Sequence, residues 1–382
     1  MTLPGLDVFA DRLPDMLDDI GTLVTCETPS ADHDAVAKGA ALAAELGERL
    51  LGSAPETLVV DGVTHLRWRF GTGDDPRVLV LCHQDTVWPI GSLATRPFAI
   101  TDGVLTGPGS FDMKTGVVMA MHALAVLRES VEDLPVTVLV TGDEEVGSPT
   151  SRELIESEAR RSTAALVLEA AGDGGAIKTG RKGVSFYRLT VHGRAAHAGL
   201  EPEKGANAGL ELAHLALAIA QFGDPTVGTS VVPTMSSAGT STNTVPASAT
   251  LAVDSRARTV AEQLRVDAAI RTLTPTVAGT SISVDGGPNR APLETASTAK
   301  LFAVAKQVAG DLGLDELPEI HVGGGSDGNF TAGVGTPTLD GLGAVGGGAH
   351  ADGEHVVVGR IAERTALVAG LVHRLTRRNA LP

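Results

Sequence analysis

Short continuous apolar runs and longer amphipathic stretches alternate along the first half of the chain, and this alternation predicts its elements. Apolar residues at helical spacing in MTLPGLDVFADRLPDMLDDIGTLV give a first helix ending near Cys26, and the Ala- and Leu-rich segment 32–51 gives a second. Strands follow at 57–60, 65–70 and 77–82, with GTGDDP, residues 71–76, as the turn before the last. The loop GPGSFDMKTG, 107–116, opens into a helical run over 117–128. The apolar strand 135–141 ends in the acids of GDEEVGS, a helix at 151–161 follows, and a third apolar strand covers 165–172. Strand, loop and helix in that repeating order predict an α/β fold with a mainly parallel sheet covered by helices.

Near Gly180 the pattern changes. Strand 185–192, helix 206–222, strands 229–235 and 249–255, helix 260–272 and strand 281–284 follow the ferredoxin-like split order. The first pattern then resumes with a helix at 296–312, a glycine-rich loop at 323–328, a strand at 336–339 and a closing helix at 361–375. The expected organisation is a discontinuous catalytic domain, 1–181 with 291–382, and an inserted α+β lid or dimerisation domain, 182–290. No repeat, coiled coil or low-complexity tract interrupts it.

Composition narrows the function classes. A chain of 382 residues is too long for one simple core, and 43% hydrophobic with 20% charged residues is globular. The net charge of −16 and the pI near 5.1 argue against nucleic acid or an acidic membrane face as partner. No uninterrupted apolar run reaches spanning length, and the N-terminal segment carries aspartates but none of the lysines of a basic signal-peptide start. Cys26 and Cys82 are the only cysteines, too few for a disulfide framework, so a reduced, cytoplasmic setting is expected.

The chemistry gathers at strand ends. In VLVLCHQDTV an apolar run stops at His83 and Asp85, and residues i and i+2 of a strand share a face, which suits an imidazole ligand held by a carboxylate. Asp112 lies in the glycine-rich loop, Glu144 and Glu145 end the second apolar strand, Glu169 ends the third, and His350 sits in GGGAHADGEH. Each acid alone has an ordinary reading as a helix cap or a solvated loop charge. Their recurrence at successive strand ends is what a pair of zinc-like ions needs, since imidazole nitrogen and carboxylate oxygen suit them.

HQDTV, GPGSFDMKTG, GDEEVGS, GRAAHAGLEPEKGANA, GTSTNTVP, VDSRA and GGGSDG, in that order, resemble the motifs of the two-zinc amidohydrolase family. That family includes glutamate carboxypeptidase, acetylornithine deacetylase, succinyl-diaminopimelate desuccinylase and aminoacylase. The likeness runs from about residue 79 to residue 350. It implies that Asp112 bridges two zinc ions, one also held by His83 and Glu169 and the other by Glu145 and His350. Cobalt or manganese would suit the same donors. It further implies that Asp85 orients His83, that Glu144 is the general base, and that His197 polarises the scissile carbonyl in a partner subunit, hence a homodimer. Asn243, Arg256, Arg290 and the amides of Gly324 and Gly325 are expected on the substrate side, Arg290 as a clamp for a free carboxylate. The expected activity is cleavage of an amide next to an amino-acid carboxylate in a peptide or N-acyl amino acid, as a carboxypeptidase of the glutamate carboxypeptidase type. An N-acyl-amino-acid deacylase is the alternative, and a non-catalytic metal- or ligand-binding relative a more distant one. The serine-hydrolase match GGSDG and the dinucleotide-type spacing in GGGSDG are set aside, because neither stands before a helix of adequate length.

Overall fold

The run Val78–His83 becomes a central strand because both of its faces find apolar partners. Val78, Val80 and Cys82 join one core cluster, and Leu79 and Leu81 join another. A strand buried on both sides shows no apolar–polar alternation, which is why this segment reads as continuous. The computed structural model describes residues 3–72, 77–131 and 133–377. Most of the expected GTGDDP turn, 73–76, lies outside the described residues.

By its contacts the chain divides into two compact units, Met1–Gly180 with Thr295–His321 and Ser326–Pro382, and Arg181–Glu294 with Val322–Gly325. In the first unit a six-stranded sheet runs in the order Glu56–Val60, Val63–Arg69, Val136–Thr141, Val78–His83, Ala164–Val167, Thr338–Leu339. Its first two strands form a hairpin, closed by Asp61 and Gly62 with φ of 47° and 87°. Asp-Gly with both φ positive is the turn that matches strand twist. Val63–Arg69 is also antiparallel to Val136–Thr141, while the remaining neighbours are parallel. One face is covered by the helix Thr115–Ser130 together with Leu13–Thr25 and Ile361–Leu375, the other by Ile155, Ala159 and Phe330. Among the described residues one helical stretch, Ser110–Ser130, is long and apolar enough to cross a membrane, and 94% of its apolar 18-residue window is buried inside the protein.

The second unit is a four-stranded antiparallel sheet in the order Ser230–Ala238, Ser248–Ala257, Gly183–His192, Ser281–Arg290. In chain order that is second, third, first, fourth, the ferredoxin-like arrangement. The helices Ala208–Ala220 and Val260–Arg271 bury Leu212, Leu215, Ile219, Val266 and Ile270 against Leu189, Val191, Leu251 and Val253.

Several elements depart from expectation. The first helix is two, Leu6–Asp11 and Leu13–Thr25, joined at Arg12. The third apolar strand is only Ala164–Val167, so Glu169 lies beyond it rather than at its end. The last strand of the second unit runs on past residue 284 to Arg290, which therefore sits in a strand. Strand pairing of short segments escaped the sequence pattern altogether. Gly346–Gly347, His355–Val357, Val104–Thr106 and Ala99–Thr101 make a small sheet, and Ile177–Arg181 pairs with Glu319–Val322. Such strands are too short to show a period.

Candidate metal centre

The carboxyl ends of three parallel strands and one distant hairpin bring the acids and imidazoles together, as open α/β sheets do with their ligand sites. His83 closes its strand with 2% exposure. Its Nδ1 lies 3.0 Å from the Asp85 main-chain oxygen and 3.5 Å from the Asp85 carboxylate. Its Nε2 faces Asp112 at 3.3 Å and Glu169 at 3.5 Å. Asp112 comes from the bend Ser110–Lys114 that precedes the core helix, and its peptide bond to Met113 is cis. Its other oxygen lies 3.3 Å from His350 Nε2, which also stands 3.1 Å from Glu145. His350 rides on the hairpin between Gly346–Gly347 and His355–Val357 with φ of +60°. Gly348 begins that turn at φ +74°, where a Cβ would meet the Gly353 backbone at 2.6 Å, so only glycine fits.

Two triads result, His83–Asp112–Glu169 and Asp112–Glu145–His350, each with ligand atoms within 4.8 Å of one another, and Asp112 is common to both. They set three carboxylates against two imidazoles. His83 Nε2 and Asp112 Oδ1 are buried, and among the described residues neither has a hydrogen-bond partner. Burial disfavours a charged His83, yet Asp112, Asp85 and Glu169 outweigh it and raise its pKa well above the ordinary value. Asp112, helped by Glu145, pushes His350 up to about 10. Burial likewise opposes ionised Asp112, but His350 and His83 hold its carboxyl well below the usual range. Buried acids that recruit protons onto imidazoles in this way are matched to divalent cations, and the nitrogen and oxygen donors fit such ions.

Asp85 does more than the sequence implies. It is fully buried, and besides facing His83 it accepts Ser30 Oγ at 2.6 Å and the amides of Glu144 and Glu145 at 3.2 Å each. One carboxylate thus fixes an imidazole and the turn Glu144–Val146 together. Asp143 pins the far side of that turn, accepting the Thr150 amide and hydroxyl at 2.7 Å and the Ser151 hydroxyl at 2.5 Å. Glu144 is 8% exposed beside the second triad's Glu145. The sequence did not single out Ser30 and Glu354, whose partners lie in distant segments, nor Asp143, whose partners Thr150 and Ser151 stand seven and eight residues on in the same turn.

The residues expected on the substrate side, His197, Asn243, Arg256, Arg290, Gly324 and Gly325, all lie in the second unit. His197 is exposed, and its Nδ1 accepts the amides of Gly199 and Leu200 at 3.1 Å, which leaves the proton of the neutral ring on Nε2. The Ala198 amide donates to the Asn243 carbonyl, tying that loop to Asn243. Arg256 is engaged by Asp254 in a bidentate pair at 2.8 Å. Arg290 is buried, and the carbonyls of Gly324 and Gly325 accept from Arg181 at 3.2 and 3.4 Å. Ser326 of GGSDG is fully buried and donates to Asp340 at 2.6 Å, which is no position for a nucleophile.

The sequence profile of peptidase family M20/M25/M40 matches residues 79–374. Carboxypeptidase G2 of Pseudomonas sp. (strain RS-16) is 33% identical, across 95% of this chain and 89% of its own. Succinyl-diaminopimelate desuccinylase of Methylorubrum extorquens (strain PA1) is 30% identical, across 84% of this chain and 87% of its own. Among solved structures, aminopeptidase PepT from Bacillus cereus ATCC 10987 shares the fold with a TM-score of 0.74 at 22% identity, covering 96% of this chain and 99% of that one. Since the matched stretch takes in both candidate ligand triads and the whole of the second unit, this chain belongs to peptidase family M20/M25/M40 and is a metallopeptidase or amidohydrolase of that family.

Proposed function

We propose that this enzyme is a carboxypeptidase that releases a C-terminal amino acid from a peptide or N-acyl conjugate, with two divalent cations, zinc by default, in the paired triads. The observation that carries the reading is the sharing of Asp112 between two triads with Glu144 next to Glu145. His83 and Glu169 would hold one ion, Glu145 and His350 the other, and Asp112 both. Two cations held there supply Lewis-acid polarisation of an amide carbonyl and bring the pKa of water toward neutrality. Glu144 takes the proton of the attacking water and delivers it to the departing amide nitrogen, an exchange worth about 10²–10⁴ in rate. Asp85 keeps the Glu144–Glu145 turn and His83 in register while this happens. His197, protonated on Nε2, donates to the scissile carbonyl in the partner subunit of a homodimer. Arg290 clamps the free carboxylate of the substrate. The 33% identity to carboxypeptidase G2 over nearly the whole chain supports this substrate side.

The 30% identity to a succinyl-diaminopimelate desuccinylase favours a second reading, an N-acyl-amino-acid deacylase with the same centre. Hydrolysis of a panel of peptidyl, benzoyl, acetyl and succinyl amino acids, scored by the products released, separates the two. Rapid release of a C-terminal residue from peptidyl or benzoyl conjugates, abolished by a chelator, is the expected result. Turnover confined to acetyl or succinyl substrates would move the assignment to the deacylase. For the dimer the check is the mass in solution at micromolar concentration, and a monomer would remove the cross-subunit role of His197.

A further inference from the structure

The hairpin that carries His350 also carries Glu354, a carboxylate with 4% exposure. Burying an ionisable acid costs several kcal/mol unless its lone pairs are used. Here they are used without a cation, since among the described residues Glu354 forms no ion pair. One oxygen accepts the Trp88 indole N–H at 2.6 Å and the Gly109 amide at 3.0 Å. The other accepts the amides of Phe111 at 2.9 Å and Asp112 at 3.1 Å. All four partners are donors, so only an acceptor-only group satisfies the site.

These donors lie where the ligands are. Trp88 follows Asp85 by three residues, and the amides of Phe111 and Asp112 belong to the bend that presents Asp112, with Gly109 immediately before it. Glu354 itself follows His350 by four residues in the same hairpin. The connection is doubled at its edge, where Arg96 stacks on Trp88 at 4.3 Å and pairs with Asp352 of that hairpin. We infer that Glu354 is a positioning residue of the metal centre, holding Asp112, which serves both triads, in register with His350. The inference rests on the metal reading proposed above. Its logic is that a ligand bend stripped of its anchor must be ordered by the ion itself, at a cost in affinity, and partners of this kind are worth about 10–100-fold in metal binding.

Glu354→Gln is nearly the same shape but sets an NH2 group against two of the four donors. The test is titration of the metal-stripped full chain with Co(II), followed by the visible absorption of the bound ion and by metal content after dialysis. Expected are a loss of at least about tenfold in Co(II) affinity, an altered visible spectrum and a lowered kcat with little change in KM. Trp88→Phe, which keeps a ring beneath Arg96 and removes one donor, should lose less. A folded Glu354→Gln protein with the wild-type Co(II) affinity and spectrum overturns the inference. Should that variant fail to fold, Glu354→Asp and Trp88→Phe carry the test, and wild-type binding by both overturns it equally. A wild-type chain that binds no Co(II) overturns instead the metal reading, a result distinct from any shown by the variants.

Discussion

Adjacent glutamates with different surroundings carry separate parts of the proposed chemistry. Glu145 faces His350 within a ligand triad, whereas Glu144 belongs to neither triad and lies next to it in the same turn. Glu144→Gln should therefore keep its metal content while kcat falls by about 10²–10⁴, and Glu145→Ala should lose metal. Metal analysis beside turnover checks both, and a Gln variant that still turns over would remove the general-base role. Asp85 gives a sharper case, because asparagine would turn an NH2 group either toward the Glu144 amide or toward the Glu145 amide and the Ser30 hydroxyl. Asp85→Asn is expected to weaken metal binding or activity about 10–100-fold, read by the same titration. At this scale the chemical types of His83, Asp112, Glu145, Glu169 and His350 were legible in the chain. The reach of Asp85 to a turn some 60 residues on was not, since no local pattern encodes a contact between segments.

Elements hold these residues through close backbone approach and capping. A Cβ on Gly116, in the first turn of the core helix, would lie 2.2 Å from the Leu168 carbonyl oxygen. Gly116→Ala forces the helix away from the segment that leads to Glu169, and a loss of about 1–3 kcal/mol in a denaturant titration is expected. Further along the same helix Leu124 is fully buried, and Leu124→Ala should cost about 2–5 kcal/mol through the cavity it leaves. In the second unit Thr259 caps the helix Val260–Arg271 by accepting the Glu262 amide at 3.2 Å. Glu262 is drawn down to about 2, chiefly by Arg265 and then by Thr229. Its folded value thus lies below its unfolded one of 4.5, so its contribution is present above that value and fades as pH falls through about 2. A carboxyl resonance of Glu262 with its midpoint near 4.5 would contradict that pairing.

On the scale of the molecule, stability and metal are linked. Three candidate ligand carboxylates crowd one site beside a half-exposed His350, so cations that bind the folded chain alone should raise its Tm. At a hundredfold excess over Kd the effect of one site is about 2.7 kcal/mol, and scanning calorimetry with and without chelator reads it. An unchanged Tm would mean that the sites bind weakly or that the unfolded chain competes. Apolar periodicity sufficed to determine the long elements, the mainly parallel sheet and the ferredoxin-like order of the second unit, because each long run must bury a face. The ligand types followed from the ends of those runs and from the glycine-rich segments that carry Asp112 and His350. Folding alone decided what depends on separation in the chain: that Asp85 reaches the Glu144 and Glu145 amides, that the His350 hairpin is closed by a small sheet, and that Glu354 grips the Asp112 bend about 240 residues away. Short strands and buried hydrogen bonds carry no period of their own, so their geometry exists only once distant segments have packed.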